Sequence, residues 1–150
     1  MSDLSELYQE LILDHNRHPR NFGELPGATS QAQGHNPLCG DQIRVEVLVE
    51  GDTIRDLRFT GSGCAIAKAS ASLMTEAVRE RGVAEALALF ERFQAMVTAS
   101  GDGPGDVEEI GKLAVFAGVR AFPMRVKCAS LAWHTLRAAL VQGGGTIRTE

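Results

Sequence analysis

The sequence predicts an α+β fold: a small antiparallel sheet of about three strands, covered on one face by about five helices. Ile43, Val45, Val47 and Val49 alternate with Arg44, Glu46 and Leu48, the period of a strand with one apolar face. Glu50-Gly51-Asp52 is a turn signal, and a second strand follows it to about Phe59. Elsewhere, apolar residues recur mostly at helical spacing.

The bulk properties narrow the class further. A chain of 150 residues is long enough for one domain with its own core, here expected over residues 1–150. Apolar residues make up 44% and charged residues 23%, the balance of an ordinary soluble protein. A net charge of -4 gives no electrostatic reason for a nucleic acid or an anionic membrane as partner. The opening residues Met1-Ser2-Asp3-Leu4 carry no basic flank and no long apolar run, so neither an export signal nor a membrane span is expected. Three cysteines without such a signal point to a reducing cytoplasm and free thiols, not to a disulfide framework.

In chain order, residues 4–15 read as a helix, with Leu4, Leu7, Tyr8, Leu11 and Ile12 on one face. Ser2 or Asp3 can cap it, and Pro19 cannot continue it. Residues 18–37 read mainly as loop, with room for a short strand near 31–34. The hairpin follows. Ile54 is out of phase with Leu57 and Phe59, which implies a bulge or a late strand start. Residues 64–80 read as a helix of small side chains, capped by Ser62 or Gly63 and ended by Gly82. Residues 83–98 read as a helix with Leu89, Phe93, Met96 and Val97 on one face. Residues 100–105 are a loop. Residues 106–120 read as a helix that Phe122-Pro123 breaks, and residues 128–141 as the last helix. Residues 143–150 are expected to form a fraying tail.

The chemistry concentrates at Cys39, Asp41, Cys64 and Cys128. Cys39 and Asp41 precede the first hairpin strand and Cys64 follows the second, so the hairpin itself brings them together. Cys64 and Cys128 fall at predicted helix starts, where free N–H groups and the helix dipole favour a thiolate. Three thiols and a carboxylate form a four-ligand set for a thiophilic metal. Around Zn²⁺ their formal charges of about -4 against +2 leave about -2, which Lys68, Arg125 and Lys127 could offset. The carboxylate is the weaker ligand for a soft metal, so Asp41 is the ligand expected to open. Each cysteine taken alone is equally a small core residue. His15, His18, His35 and His134 are expected to be surface or structural groups, with His35 close enough in sequence to remain a ligand candidate. Trp133 and Phe122 read as packing residues.

Leu38-Cys39-Gly40-Asp41, Gly61-Ser62-Gly63-Cys64-Ala65-Ile66-Ala67 and Val126-Lys127-Cys128 stand in the order of three motifs of the IscU/NifU-N family of iron–sulfur cluster assembly proteins. The sequence resembles that family from Leu7-Tyr8 to Leu136. The resemblance implies that Cys39, Asp41, Cys64 and Cys128 bind zinc or a nascent [2Fe–2S] cluster. It also implies sulfur supplied by a PLP-dependent cysteine desulfurase. Lys127 stands where the IscU branch has a histidine, and residues 90–106 look like an extra piece. Both features are similar to the SufU-type branch. That likeness implies a zinc-dependent sulfurtransferase partnered by a SufS-type desulfurase, with Cys128 as sulfur acceptor and Arg125 beside the site. Two alternatives stay open. One is a non-enzymatic scaffold holding iron or a transient [2Fe–2S] cluster for apo iron–sulfur proteins, or for another scaffold. The other is a structural zinc domain that binds a protein partner.

Overall fold

A computed structural model describes residues 3–98, 112–113, 115–116, 119, 122–141 and 145–148. Among these residues the elements are α1 (Asp3–Arg17), β1 (Ser30–Asn36), β2 (Asp41–Glu50), β3 (Thr53–Ser62), α2 (Ala65–Val78), α3 (Val83–Thr98), α4 (Pro123–Val141) and β4 (Gly145–Arg148). The sheet order is β3-β2-β1-β4, with the first three strands antiparallel and β4 parallel to β1. The α+β class and the antiparallel core are as expected. Four helices are described where about five were expected. Of the helix expected over 106–120, only five residues are described, and these lie in 3-10 turns.

The pleat sorts the sheet into two faces. Ala32, Ile43, Val45, Val47, Leu57 and Phe59 are buried on one side. Gln31, Gln33 and Gln42 stay exposed on the other. The out-of-phase Ile54 is resolved by a bulge. Leu48 pairs with Asp56 and Val49 with Ile54, so Arg55 is the extra residue and Ile54 returns to the core. β1 is longer than the short strand expected near 31–34. Its residues are polar because only Ala32, Gly34 and Asn36 face inward, so the usual apolar alternation is missing. The expected tail also differs: Gly145–Arg148 pair with Ala32–His35 and cover the free edge of β1.

α4 packs on β1 and β2, and α2 packs on β3, α1 and α4. The small residues of α2 allow this close approach. Ser70 Oγ donates to Ala129 O at 2.6 Å, a bond that ties α2 to α4. α3 closes the core: Phe93 stacks on Trp133 with centroids 4.8 Å apart and meets Phe116 edge-on. Trp133 is therefore a packing residue, as expected. Residues 90–98, read as part of an extra piece, continue α3 and bury Phe90, Phe93, Met96 and Val97; residues 99–106 lie outside the described set. No helix among the described residues is long and apolar enough to cross a membrane.

His15 is fully buried where α1 meets α2. Its Nδ1 lies 2.7 Å from Ser72 Oγ, and its Nε2 lies 3.6 Å from Glu76 Oε1. Ser72 Oγ already accepts from the Arg20 N–H. Its own proton is then free for His15 Nδ1, which suits a neutral ring. Burial, and then the Arg20 charge, push the His15 pKa down; burial does the same to His134. A histidine held neutral in the fold binds its proton more readily when unfolded. Stability is then complete above about pH 6.5, the ordinary histidine value, and falls as pH drops below it. The melting temperature is expected to decline between pH 7.5 and 5.5, and less steeply in His15→Gln. Parallel slopes in the two proteins would remove His15 as the source.

Candidate metal centre

The site lies at one end of the sheet, where the β1–β2 loop, β2, the start of α2 and α4 meet. Asp41 opens β2 on the same face as Ile43, Val45 and Val47, which makes it fully buried. A carboxylate there needs hydrogen bonds or a cation. Oδ1 accepts from the Cys64 N–H at 2.9 Å, and Oδ2 lies 3.7 Å from the Cys64 thiol, a longer and weaker contact. Among the described residues it makes no ion pair.

Gly63 makes that bond possible. Its φ is +154°, and a Cβ there would sit 2.4 Å from Asp41 Oδ1. The glycine leaves a notch that the carboxylate fills. Cys64 itself is the N-cap of α2, and its Sγ accepts from the Ala67 N–H at 3.4 Å. The cap expected at Ser62 or Gly63 thus falls on the cysteine. Cys64 is exposed, with Sγ 3.7 Å from Asp41 Oδ2.

Cys39 sits in the loop between the last β1 residue, Asn36, and its ladder partner Asp41. Gly40 has φ +76°, which suits the tight return. Cys39 is half-buried. Its Sγ lies 3.4 Å from Cys128 Sγ, and both thiols are free.

Cys128 corrects an expectation. α4 begins at Pro123, so Cys128 lies in its second turn and not at its N-terminus. Phe122-Pro123 read as a break, but proline suits a first helical turn, where its missing N–H has no partner to lose. Cys128 therefore lacks the free N–H groups of a helix start, and it is buried. Burial pushes its thiol pKa up, and hydrogen bonding with Asp41, Cys39 and Cys64 adds to this. Three of the four candidate ligands thus converge, with the fourth alongside. The ligand atoms of Cys39, Asp41 and Cys128 lie within 4.8 Å of one another, and Cys64 flanks them through Asp41.

Such a set fits a thiophilic dication. Tetrahedral Zn²⁺ with Zn–S near 2.3 Å places two sulfurs roughly 3.8 Å apart, close to the separation of Cys39 and Cys128. A cation would also supply the partner that Asp41 lacks and would reverse the rise in thiol pKa.

The other candidates stand apart. His35 is adjacent to Asn36 on β1 and so faces the opposite side of the sheet, paired with exposed Gln42. His15, His18 and His134 lie elsewhere, and no histidine among the described residues joins the ligand group. The Arg125 guanidinium rests over the Phe122 ring at 4.5 Å, and Lys68 Nζ lies 5.4 Å from the Phe22 ring centroid. Both cations thus rest against aromatic rings. Gly63, read as a cap, is instead the notch; Ser70 and Asn36, without an assigned role, now have one, Ser70 as the tie between helices and Asn36 through a side chain that reaches Cys39. Two glycines flanking Ser62 just before a cysteine, and an asparagine before Pro-x-Cys, were the available signals.

The NifU-like N terminal domain family matches residues 7–141. The chain belongs to this family. This NifU-like chain is 36% identical over 144 residues to the zinc-dependent sulfurtransferase SufU of Bacillus subtilis (strain 168), covering 96% of each chain. It is 41% identical over 140 residues to the iron-sulfur cluster assembly scaffold protein IscU of Streptococcus pyogenes serotype M1, covering 93% of this chain and 86% of that one. Its fold superposes on a putative iron-sulfur cluster assembly scaffold protein for the SUF system from Fervidobacterium islandicum AW-1 with a TM-score of 0.82. That match is 34% identical and covers 90% of this chain and 97% of the other.

Two outcomes test the centre. A metal bound a thousandfold above its dissociation constant stabilises the fold by about 4 kcal/mol, so chelation should lower the melting temperature by on the order of 10 °C. An unchanged melting curve in metal-free protein would refute the site. Gly63→Ala should drive Asp41 out of its notch and destabilise the fold by about 1–3 kcal/mol, the cost of a broken buried hydrogen bond. Denaturant unfolding and zinc content measure this together; full zinc retention would show that Asp41 is not a ligand.

Proposed function

We propose that this protein serves iron–sulfur cluster assembly as a zinc-binding sulfur acceptor. It would take persulfide sulfur from a PLP-dependent cysteine desulfurase of the SufS type and pass it towards apo iron–sulfur proteins or another scaffold. One observation carries the reading: a fully buried carboxylate, with no ion pair among the described residues, sits among three free thiols. Cys39, Asp41, Cys64 and Cys128 would hold the zinc, which when bound keeps the thiols deprotonated at neutral pH. The match along nearly the full length of a zinc-dependent sulfurtransferase supports this, and free thiols suit a cytoplasmic setting.

The acceptor role passes from Cys128 to Cys39. Cys128 is buried inside a helix, and Cys64 caps one. Only Cys39 rides on a loop, and a loop can carry a sulfur outward without unwinding an element. The freed Cys39 thiolate attacks the outer sulfur of the desulfurase persulfide. A new S–S bond forms at Cys39, the old one breaks, and the desulfurase cysteine leaves as a thiolate. Exposed apolar side chains stand where a partner would dock: Leu38 beside Cys39, and Phe122 and Met124 in the turn before Cys128. Arg125 belongs to that docking rim.

The scaffold reading is the alternative, and the 41% identity to an IscU scaffold favours it. There iron and sulfide are cargo held by the same four residues. A structural zinc domain fits less well, because the exposed Cys64 leaves the site open to solvent.

Alanine release from cysteine by a SufS-type desulfurase should accelerate over many turnovers as the zinc-loaded protein is added. After one turnover, peptide mapping should find the extra sulfur on the Cys39 peptide. Extra sulfur on Cys128 would return the acceptor role there. No acceleration, with a visible cluster formed on reconstitution and passed to an apo-ferredoxin, would establish the scaffold instead.

A further inference from the structure

We infer that Asn36 is the positioning residue that holds the Cys39 sulfur in the site and sets how readily it leaves. The inference rests on the proposed role of Cys39 as the mobile ligand.

Asn36 is the last residue of β1, pairs with Asp41 and is fully buried. Its polar groups are directed at the loop that carries Cys39. The backbone oxygen accepts from the Gly40 N–H at 2.8 Å and the Cys39 N–H at 3.3 Å. The side-chain Oδ1 accepts from the Leu38 N–H at 3.1 Å. This fixes the amide orientation, since only the oxygen can face an N–H. Nδ2 therefore faces the sulfur, and it donates to Cys39 Sγ at 3.6 Å, a normal length for a sulfur acceptor.

The three sulfurs differ in their donors. Cys64 Sγ takes a backbone N–H from Ala67, which no side-chain change removes. Cys128 Sγ lies 3.4 Å from Cys39 Sγ and is hydrogen-bonded with Asp41 and Cys64. Cys39 alone is held by a side-chain amide. An N–H donor to a thiolate is a charge-assisted hydrogen bond. That bond is lost when the sulfur swings out. Asn36 thus closes the loop and restrains its sulfur through one side chain.

Asn36→Asp separates these tasks. Its carboxylate still accepts from Leu38 N–H, so the turn survives, but the donor to sulfur is gone. Asn36→Ser removes the amide donor without a buried charge, and its shorter hydroxyl can still accept in such turns. In zinc-loaded protein, peptide-resolved alkylation of Cys39 should rise on the order of fivefold, the worth of one ordinary hydrogen bond. Cys64 and Cys128 should keep their rates. In Co²⁺-substituted protein the sulfur-to-metal charge-transfer band should move to lower energy. Unchanged Cys39 alkylation and an unmoved band in both variants would overturn the inference. So would equal acceleration at all three cysteines, the sign of general loosening. Neither readout involves sulfur transfer. The wild type alone, tested for metal and for persulfide at Cys39, reports separately on the proposed function.

Discussion

The hydrogen bond from the Cys64 N–H to the buried Asp41 carboxylate is the contact on which the centre depends. It joins the first residue of β2 to the cap of α2. It exists only because three requirements meet. The β2–β3 ladder must run to Gln42 and Ser62, so that the next residues face each other. Residue 63 must lack a side chain, since a Cβ would overlap the carboxylate. α2 must start at Cys64, so that its amide points at the oxygen. A buried carboxylate with no ion pair among the described residues is costly for a fold to keep. Retaining that cost beside three thiols makes sense if a cation offsets it, and sheet and helix are then aligned by the needs of the site.

The three cysteines form a gradient of constraint. Cys128 is inside α4, and α4 is bound to α2 through Ser70 and Ala129. Cys64 is fixed by capping α2 and by the notch at Gly63. Cys39 hangs on a four-residue loop and is restrained by one asparagine. On the proposed role of Cys39, lability would follow backbone structure rather than ligand hardness. Metal chemistry alone singles out Asp41 as the weak ligand. The fold opposes this by burying Asp41 in register with the core valines of β2.

Much of this was legible in the sequence. The alternating valines set the hairpin, and the hairpin set the proximity of Cys39, Asp41 and Cys64 before any contact was known. The phase error at Ile54 announced the bulge. Other features were hidden for physical reasons. β1 carries glutamines on its open face and only small or polar residues inward, so it lacks the signature of a half-buried strand. Pro123 has one meaning inside a helix and the opposite at its first turn, and local sequence does not choose between them. Cys128 was placed at a helix start for that reason. Gly145–Arg148 follow a run of glycines, and only the unpaired edge of β1 gives them a strand to join. Asn36 looked like a loop residue, because its value lies in a sulfur three positions away.

The arrangement also shows how one ligand can leave without opening the fold. Asp41, Cys64 and Cys128 are borne by β2, the cap of α2 and the body of α4, elements that share one core. A cation held by these three would still bind sheet and helices together while Cys39 is away. The fourth position would then be open to a donor from a partner, as in sites where a metal keeps three protein ligands. The side chains next to Cys39 are suited to meeting such a partner. Leu38 is 58% exposed and directly precedes Cys39, so the loop proposed to release its sulfur is also one a partner could touch. Docking and sulfur release would thus act on the same short segment, and Asn36, at its base, is the residue through which one could be felt by the other.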